Sequence, residues 1–118
     1  MFFRGKKLKG SLKTGRMKVL WTKFAMASLR DIYIFYKEKA SIAVAKRIRD
    51  EVLTSSDQLA HQALSGQIEG SLEDLKESHR YILRGQYKII YKIVSGKVYI
   101  TDVFDTRQDP EKIKTRNE

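Results

Sequence analysis

The sequence predicts a single α+β domain in which two helices pack on one face of a mostly antiparallel sheet. Two patterns indicate this class: apolar residues recur at helical spacing between residues 23 and 59, and they alternate with polar residues after residue 80. The chain has 118 residues, which suffices for one hydrophobic core but not for two. Its 42% hydrophobic and 32% charged residues are typical of a globular protein. With no cysteine, it has neither a disulfide nor a thiolate zinc site.

Residues 1–16 form a basic leader that we expect to be disordered or non-native. The leader holds six Lys or Arg residues, no acidic residue and three glycines, without a hydrophobic period. It also lacks the apolar stretch of a secretory signal. We therefore place the folded domain at residues 17–118, and we interpret the sequence MKVLW, from Met17, as its first strand.

Two amphipathic helices should follow this strand. Thr22 can cap the first and Ser41 the second, and the break at Lys39-Ala40 is too short for a linker, so we predict an antiparallel hairpin. The two apolar stripes are formed by Ala25, Leu29, Ile32 and Tyr36 in the first helix and by Ala45, Ile48, Val52 and Leu59 in the second.

A three-stranded meander should complete the sheet. We predict strands at residues 81–83, 87–94 and 98–104, separated by Gly85-Gln86 and by the two-residue turn Ser95-Gly96. Asp109, Pro110 and Glu111 resemble an N-cap, a first-turn proline and a first-turn acid, so a short C-terminal helix should follow.

The net charge of +10 suggests an anionic partner, but it is unevenly distributed. The leader contributes six charges, residues 17–78 are neutral with nine basic and nine acidic side chains, and residues 79–118 contribute +4. Strand alternation led us to predict one basic surface on the open face of the sheet, formed by Arg80, Arg84, Lys88, Lys92 and Arg107. An equally good interpretation is that the lysines are ordinary solvated side chains on the surface of the sheet.

Other site chemistry is sparse. His61 and His79 are too few and too far apart for a metal site, so we expect neither a metal nor another cofactor. No apolar run approaches the roughly 20 residues that span a bilayer, so we expect no membrane association.

Three segments of the sequence resemble the RelE/ParE superfamily, the toxins of bacterial type II toxin–antitoxin systems. They are WTKFAMASLRDIYIFY, RYILRGQYKIIYKI and VYITDVFDTRQDPEKI, and they lie in order between residues 17 and 113. The resemblance implies a cytoplasmic protein that arrests bacterial growth. It also implies a cognate antitoxin, a small acidic protein that folds as it binds and neutralises the toxin.

Two activities occur in this superfamily. ParE-like members poison DNA gyrase, and RelE-like members cut mRNA on the ribosome. The long helix hairpin and the ending DTRQDPEKI look more like ParE. In a ParE-like toxin we expect the target to be contacted by Arg84, Lys92, Arg107 and Asp109.

Ribonuclease activity is the alternative. Arg80, Lys88 and Arg107 match basic catalytic positions of RelE-like members, but Ile82 and Ile113 stand where RelE has a second lysine and a late tyrosine. Phe104 and Asp105 stand where related ribonucleases have a histidine. The sequence therefore leaves open whether the protein is an enzyme. A third alternative is a non-toxic basic module that binds nucleic acid or protein.

Overall fold

Residues 3–4, 17–70, 79–107 and 113 are described by the structure, a computed structural model of the chain. Two long helices and a 3-10 turn separate the first strands from the meander. In chain order the elements are β1 (Phe3–Arg4), β2 (Lys18–Trp21), α1 (Lys23–Lys39), α2 (Ile42–Asp57), α3 (Leu59–Gln62), the 3-10 turn Ala63–Ser65, β3 (Gln67–Ile68), β4 (His79–Arg84), β5 (Tyr87–Val94) and β6 (Lys97–Asp105).

The strands form one sheet in the order β1-β2-β6-β5-β4-β3. Strands β4, β5 and β6 are the predicted antiparallel meander. Strand β2 pairs in parallel with β6, with Lys18 opposite Lys97 and Trp21 opposite Ile100. Strands β1 and β3 each pair through two residues at opposite edges. We did not predict β1 or β3, because a two-residue strand has no detectable hydrophobic period.

The predicted starts of both helices are confirmed by capping hydrogen bonds, whereas α2 ends at Asp57, and Leu59, predicted in its apolar stripe, begins α3. Thr22 Oγ1 accepts from the Ala25 N–H at 3.1 Å, and Ser41 Oγ accepts from the Val44 N–H at 3.1 Å. Each cap satisfies one backbone donor that would otherwise lack a partner in the first helical turn. The predicted C-terminal helix lies outside the described residues apart from Ile113, which is fully buried.

The main core lies between the helices and the sheet, where Trp21, Ile89, Tyr91 and Ile100 are completely buried. A second cluster covers the opposite face of the sheet. Here Ile90, Phe104 and Ile113 are buried, with Tyr81 packed against them. The prediction that this face is open is therefore wrong over these residues, because side chains pack on both faces of β5 and β6.

A buried polar contact fixes α1 to the sheet. The register between β5 and β6 shifts between Ile90 and Tyr91. Next to this shift, Asp102 accepts a 3.0 Å hydrogen bond from Ser28 Oγ of α1, and both residues are buried. The irregularity thus turns a carboxylate toward the helices, as β-bulges commonly re-aim a side chain. Among the helices of the described residues, none has the length and apolarity to cross a membrane.

Candidate functional site

The five predicted cations do not form one surface. Arg80 and Arg84 lie opposite Tyr91 and Tyr87 in the β4–β5 register, so both arginines are on the helix side of the sheet. Lys88 and Lys92 alternate with these tyrosines and lie on the other side. The prediction of a single basic face is therefore wrong. Strand alternation shows which residues share a side, but not which side the helices cover.

Arg80 and Arg84 each have a partner within the fold. Arg80 Nη1 donates to the Gly66 carbonyl oxygen at 2.8 Å, which holds the segment after α3 against β4. Arg84 Nη2 lies 3.8 Å from Glu51 Oε2 of α2, and both side chains are substantially exposed. The Arg84 pair is solvent-screened and contributes little to stability.

Lys88 is bound on the opposite face. Its Nζ lies 2.8 Å from Glu69 Oε1 and 4.3 Å from the centre of the Tyr81 ring. Glu69 is only 4% exposed, so this pair is well shielded from water. Lys92 lies on the same face, opposite His79 in the register, and is half-buried. Asp109 lies outside the described residues.

Arg107 follows β6 and is held by Asp105. Arg107 Nη2 donates to Asp105 Oδ2 at 2.7 Å, and Arg107 Nε donates to Oδ1 at 3.1 Å. The Arg107 backbone N–H also donates to Oδ1, at 2.9 Å. These hydrogen bonds lower the pKa of Asp105 and raise the pKa of Arg107. Both side chains therefore remain charged over the ordinary pH range.

Three polar side chains extend this pair into a network. Tyr87 Oη donates to Tyr36 Oη at 3.1 Å, which joins β5 to α1. The Gln86 amide lies beside both hydroxyls, and with its oxygen turned toward Arg107 it accepts from Nη2 at 2.8 Å. The pKa of Tyr87 is raised mainly by burial and to a lesser extent by the hydrogen bond with Tyr36. The Tyr87 hydroxyl is thus protonated near pH 7 and can donate to Tyr36.

The network opens into a groove of about 350 Å³ between α1 and the ends of β5 and β6. Apolar side chains line part of it, and Phe35 is 47% exposed at its rim. Its lining residues are Ser28, Asp31, Ile32, Phe35, Tyr36, Tyr87, Val103, Asp105 and Arg107. An aromatic wall beside an exposed, oriented guanidinium is suited to binding a protein segment. We call this the Arg107 groove.

A second groove lies between α1 and α2. It has a volume of about 300 Å³ and a mostly apolar lining, formed by Trp21, Met26, Leu29, Arg30, Tyr33, Arg49 and Leu53. The Arg49 guanidinium lies 5.3 Å from the centre of the Tyr33 ring. We call this the interhelical groove. Its apolar lining with two arginines complements an amphipathic segment that carries acidic residues.

Sequence reasoning identified Arg107 but missed its neighbours. Tyr36 and Tyr87 have the spacing of core residues, and their hydroxyl partners come from distant parts of the chain. Asp105 and Arg107 are only two residues apart at the end of the last strand, which is the one local signal for their pairing. Over the described ranges, no three His, Asp or Glu side chains come together as a potential metal site.

The family to which the chain belongs follows from a comparison with known sequences. The sequence model of the ParE toxin of the type II toxin–antitoxin system parDE matches residues 19–110, a range that includes both grooves. The chain belongs to the ParE toxin family. This match confirms the predicted membership of the RelE/ParE superfamily. It also confirms the predicted function as a ParE-like toxin of a type II toxin–antitoxin system.

A solved structure supports the same fold. The chain is similar to one from a chromosomal ParDE toxin–antitoxin system of P. aeruginosa, with a TM-score of 0.65 and 17% sequence identity. The similarity covers 78% of this chain and 98% of that one. A comparison with curated proteins found no significant match. At this identity the structural likeness bears on the α+β fold alone.

Proposed function

We propose that this ParE-family toxin arrests growth in the bacterial cytoplasm by binding DNA gyrase, without catalysing a reaction itself. The observation that carries the proposal is the position of Arg107. Its guanidinium is exposed at the mouth of an aromatic groove, and it lies in the segment that ends the ParE-family match. A fixed cation next to apolar surface is a common arrangement at protein-binding sites.

The alternative ribonuclease activity is disfavoured by the separation of its three predicted catalytic cations. RNA cleavage requires a proton acceptor, a proton donor and cations that converge on one phosphate. Arg80 donates to a backbone carbonyl on the helix side of the sheet, whereas Lys88 is paired with Glu69 on the other side. Arg107 lies in a third place, beside Asp105. This arrangement favours binding over catalysis.

The proposal includes a cognate antitoxin that binds the interhelical groove. The antitoxin would be a small acidic protein that folds as it binds. Its apolar side chains would contact Leu29, Tyr33 and Leu53, and its carboxylates would pair with Arg30 and Arg49. Because this groove is separate from the Arg107 groove, we expect Leu53→Asp to weaken antitoxin binding while growth inhibition is retained.

The experiment that tests the function is induced expression in a bacterial host. DNA, RNA and protein synthesis are followed separately after induction, for the wild type and for Arg107→Ala. We expect DNA synthesis to stop first, with translation initially intact, and we expect Arg107→Ala to relieve growth inhibition. Arg47→Ala is the matched control, because Arg47 is also an exposed arginine with an acidic partner, Glu51 at 3.6 Å.

Two outcomes would contradict the proposal. Immediate arrest of translation with cut mRNA would indicate a ribosome-dependent ribonuclease. Growth without inhibition by a folded wild-type protein would indicate a non-toxic binding module. Arg84, Lys92 and Asp109 remain predicted target contacts, and alanine variants of each can be ranked against Arg107→Ala in the same assay.

A further inference from the structure

We propose that Asp105 is a positioning residue that orients Arg107 to bind an oxyanion of the target. This inference rests on the proposed function, in which Arg107 contacts the target. The oxyanion would be a carboxylate or a phosphate, since a guanidinium binds both through paired N–H donors. Asp105 itself would make no contact with the target.

The geometry divides the Arg107 guanidinium into a bound edge and a free edge. Asp105 accepts from Nε and Nη2, and with the Gln86 amide turned toward Arg107 its oxygen also accepts from these two nitrogens, at 3.2 and 2.8 Å. Among the described residues, none accepts a hydrogen bond from Nη1. The Arg107 side chain is 62% exposed, whereas that of Asp105 is 17% exposed. The Asp105 carboxylate is thus sheltered, whereas the Arg107 side chain is largely exposed.

The backbone that carries the Asp105 carboxylate is itself held in place on two sides. Asp105 is the last residue of β6 and pairs with Tyr87 in the sheet. The next residue, Thr106, donates to the Gln86 carbonyl oxygen through its backbone N–H at 2.8 Å and through its hydroxyl at 2.7 Å. The backbone on both sides of the carboxylate is therefore fixed. A long arginine side chain normally loses rotamer freedom on binding, and this support reduces that loss in advance.

Net charge and side-chain orientation predict opposite effects of Asp105→Asn on target binding. Asp105 carries a negative charge next to the cation that is to bind an anion. If only net charge mattered, Asp105→Asn would strengthen binding. If orientation matters more, Asp105→Asn weakens binding even though the local charge becomes more positive. The direction of the change therefore distinguishes the two explanations.

The test measures binding of full-length toxin to purified gyrase by calorimetry for five variants: Asp105→Asn, Asp105→Glu, Arg107→Ala, the double variant Asp105→Asn/Arg107→Ala, and Glu38→Gln. We expect Asp105→Asn to weaken binding by about tenfold. Asp105→Glu should also weaken it, although its charge is preserved. The double variant should bind no more weakly than Arg107→Ala, because Asp105 acts only through Arg107. Glu38→Gln, which removes an exposed charge elsewhere on α1, should bind like the wild type.

The outcomes separate this inference from the function on which it rests. Tight binding by Asp105→Asn, together with weak binding by Arg107→Ala, would overturn the positioning role alone. Additive losses in the double variant would also overturn it, because they would indicate a structural role independent of Arg107. Unchanged binding by Arg107→Ala would refute the proposed contact and the positioning role together. Thermal unfolding of each variant shows whether it is folded, and Asp105→Glu decides the question if Asp105→Asn does not fold.

Discussion

Single side chains determine the shape of the segment between the helices and β4. The Tyr91 hydroxyl donates to the Ala63 carbonyl oxygen at 2.5 Å and accepts from the Gly66 N–H at 3.1 Å. Burial raises the pKa of Tyr91, so the hydroxyl stays protonated and can make both bonds. Gly66 has an ordinary extended backbone, with φ at −73° and ψ at 157°. Glycine is therefore required here for space rather than for conformation.

We expect Gly66→Ala to lower the free energy of unfolding by about 1–3 kcal/mol. A Cβ atom at this position would collide with the Tyr91 hydroxyl and would lie 2.8 Å from the Tyr81 carbonyl oxygen. Gly70→Ala is the matched control, because its Cβ would have no atom of the described residues within 4 Å. Urea unfolding of both variants measures the difference. Equal stability of the two variants would contradict this account of Gly66.

The Asp105–Arg107 pair should make a small, pH-dependent contribution to stability. Because Arg107 lowers the pKa of Asp105 in the folded state, the contribution is present above the ordinary Asp pKa of about 3.9. It is lost as the pH falls through the lowered value. We expect the stability difference between the wild type and Asp105→Asn to shrink below about pH 4. A stability difference that stays constant down to pH 2 would show that Arg107 does not lower the pKa of Asp105.

The β5–β6 hairpin is an element that can be predicted from a few neighbouring residues. The turn was identified from Ser95-Gly96, and both residues have positive φ, 52° and 74°. Type I′ turns require this conformation, since it matches the twist of the two strands. Serine tolerates a positive φ less well than asparagine does.

We therefore expect Ser95→Asn to raise the free energy of unfolding by about 0.5 kcal/mol. Ser95→Thr should lower it, because a β-branched side chain is disfavoured at positive φ. Chemical denaturation of the two variants, whose side chains are both exposed at the turn, provides the comparison. A gain in stability with threonine would rule out this conformational explanation.

The elements that were predicted correctly are those with a local signal. The two helices, their caps, the meander and the hairpin turn are all encoded within a few neighbouring residues. The parallel pairing of β2 with β6 joins residues almost 80 positions apart, and nothing in either strand specifies that partner. The same limit applies to the site, because Tyr36 meets Gln86 and Tyr87 only in the folded chain. Arg107 could be identified from its place after the last strand. That Arg80 and Arg84 lie on the side of the sheet covered by the helices is visible only in the folded structure.

At the level of the whole molecule, charge and toxicity should be separable. Deletion of residues 1–16 removes six positive charges together with the two-residue edge strand β1, and leaves +4. We expect the shortened protein to lose affinity for heparin and non-specific DNA, because this affinity depends on the number of cations. Growth inhibition should remain, since the proposed binding residues lie in the domain at 17–118. Loss of toxicity by a stably folded shortened protein would show that the leader is part of the functional domain.

The central claim is that the toxin acts by binding gyrase through Arg107. The most direct measurement is the supercoiling activity of purified gyrase in the presence of purified toxin. We predict that the wild type and Arg47→Ala inhibit supercoiling and that Arg107→Ala does not. Full supercoiling activity with folded wild-type toxin, combined with toxin-dependent cutting of mRNA on ribosomes, would contradict the claim.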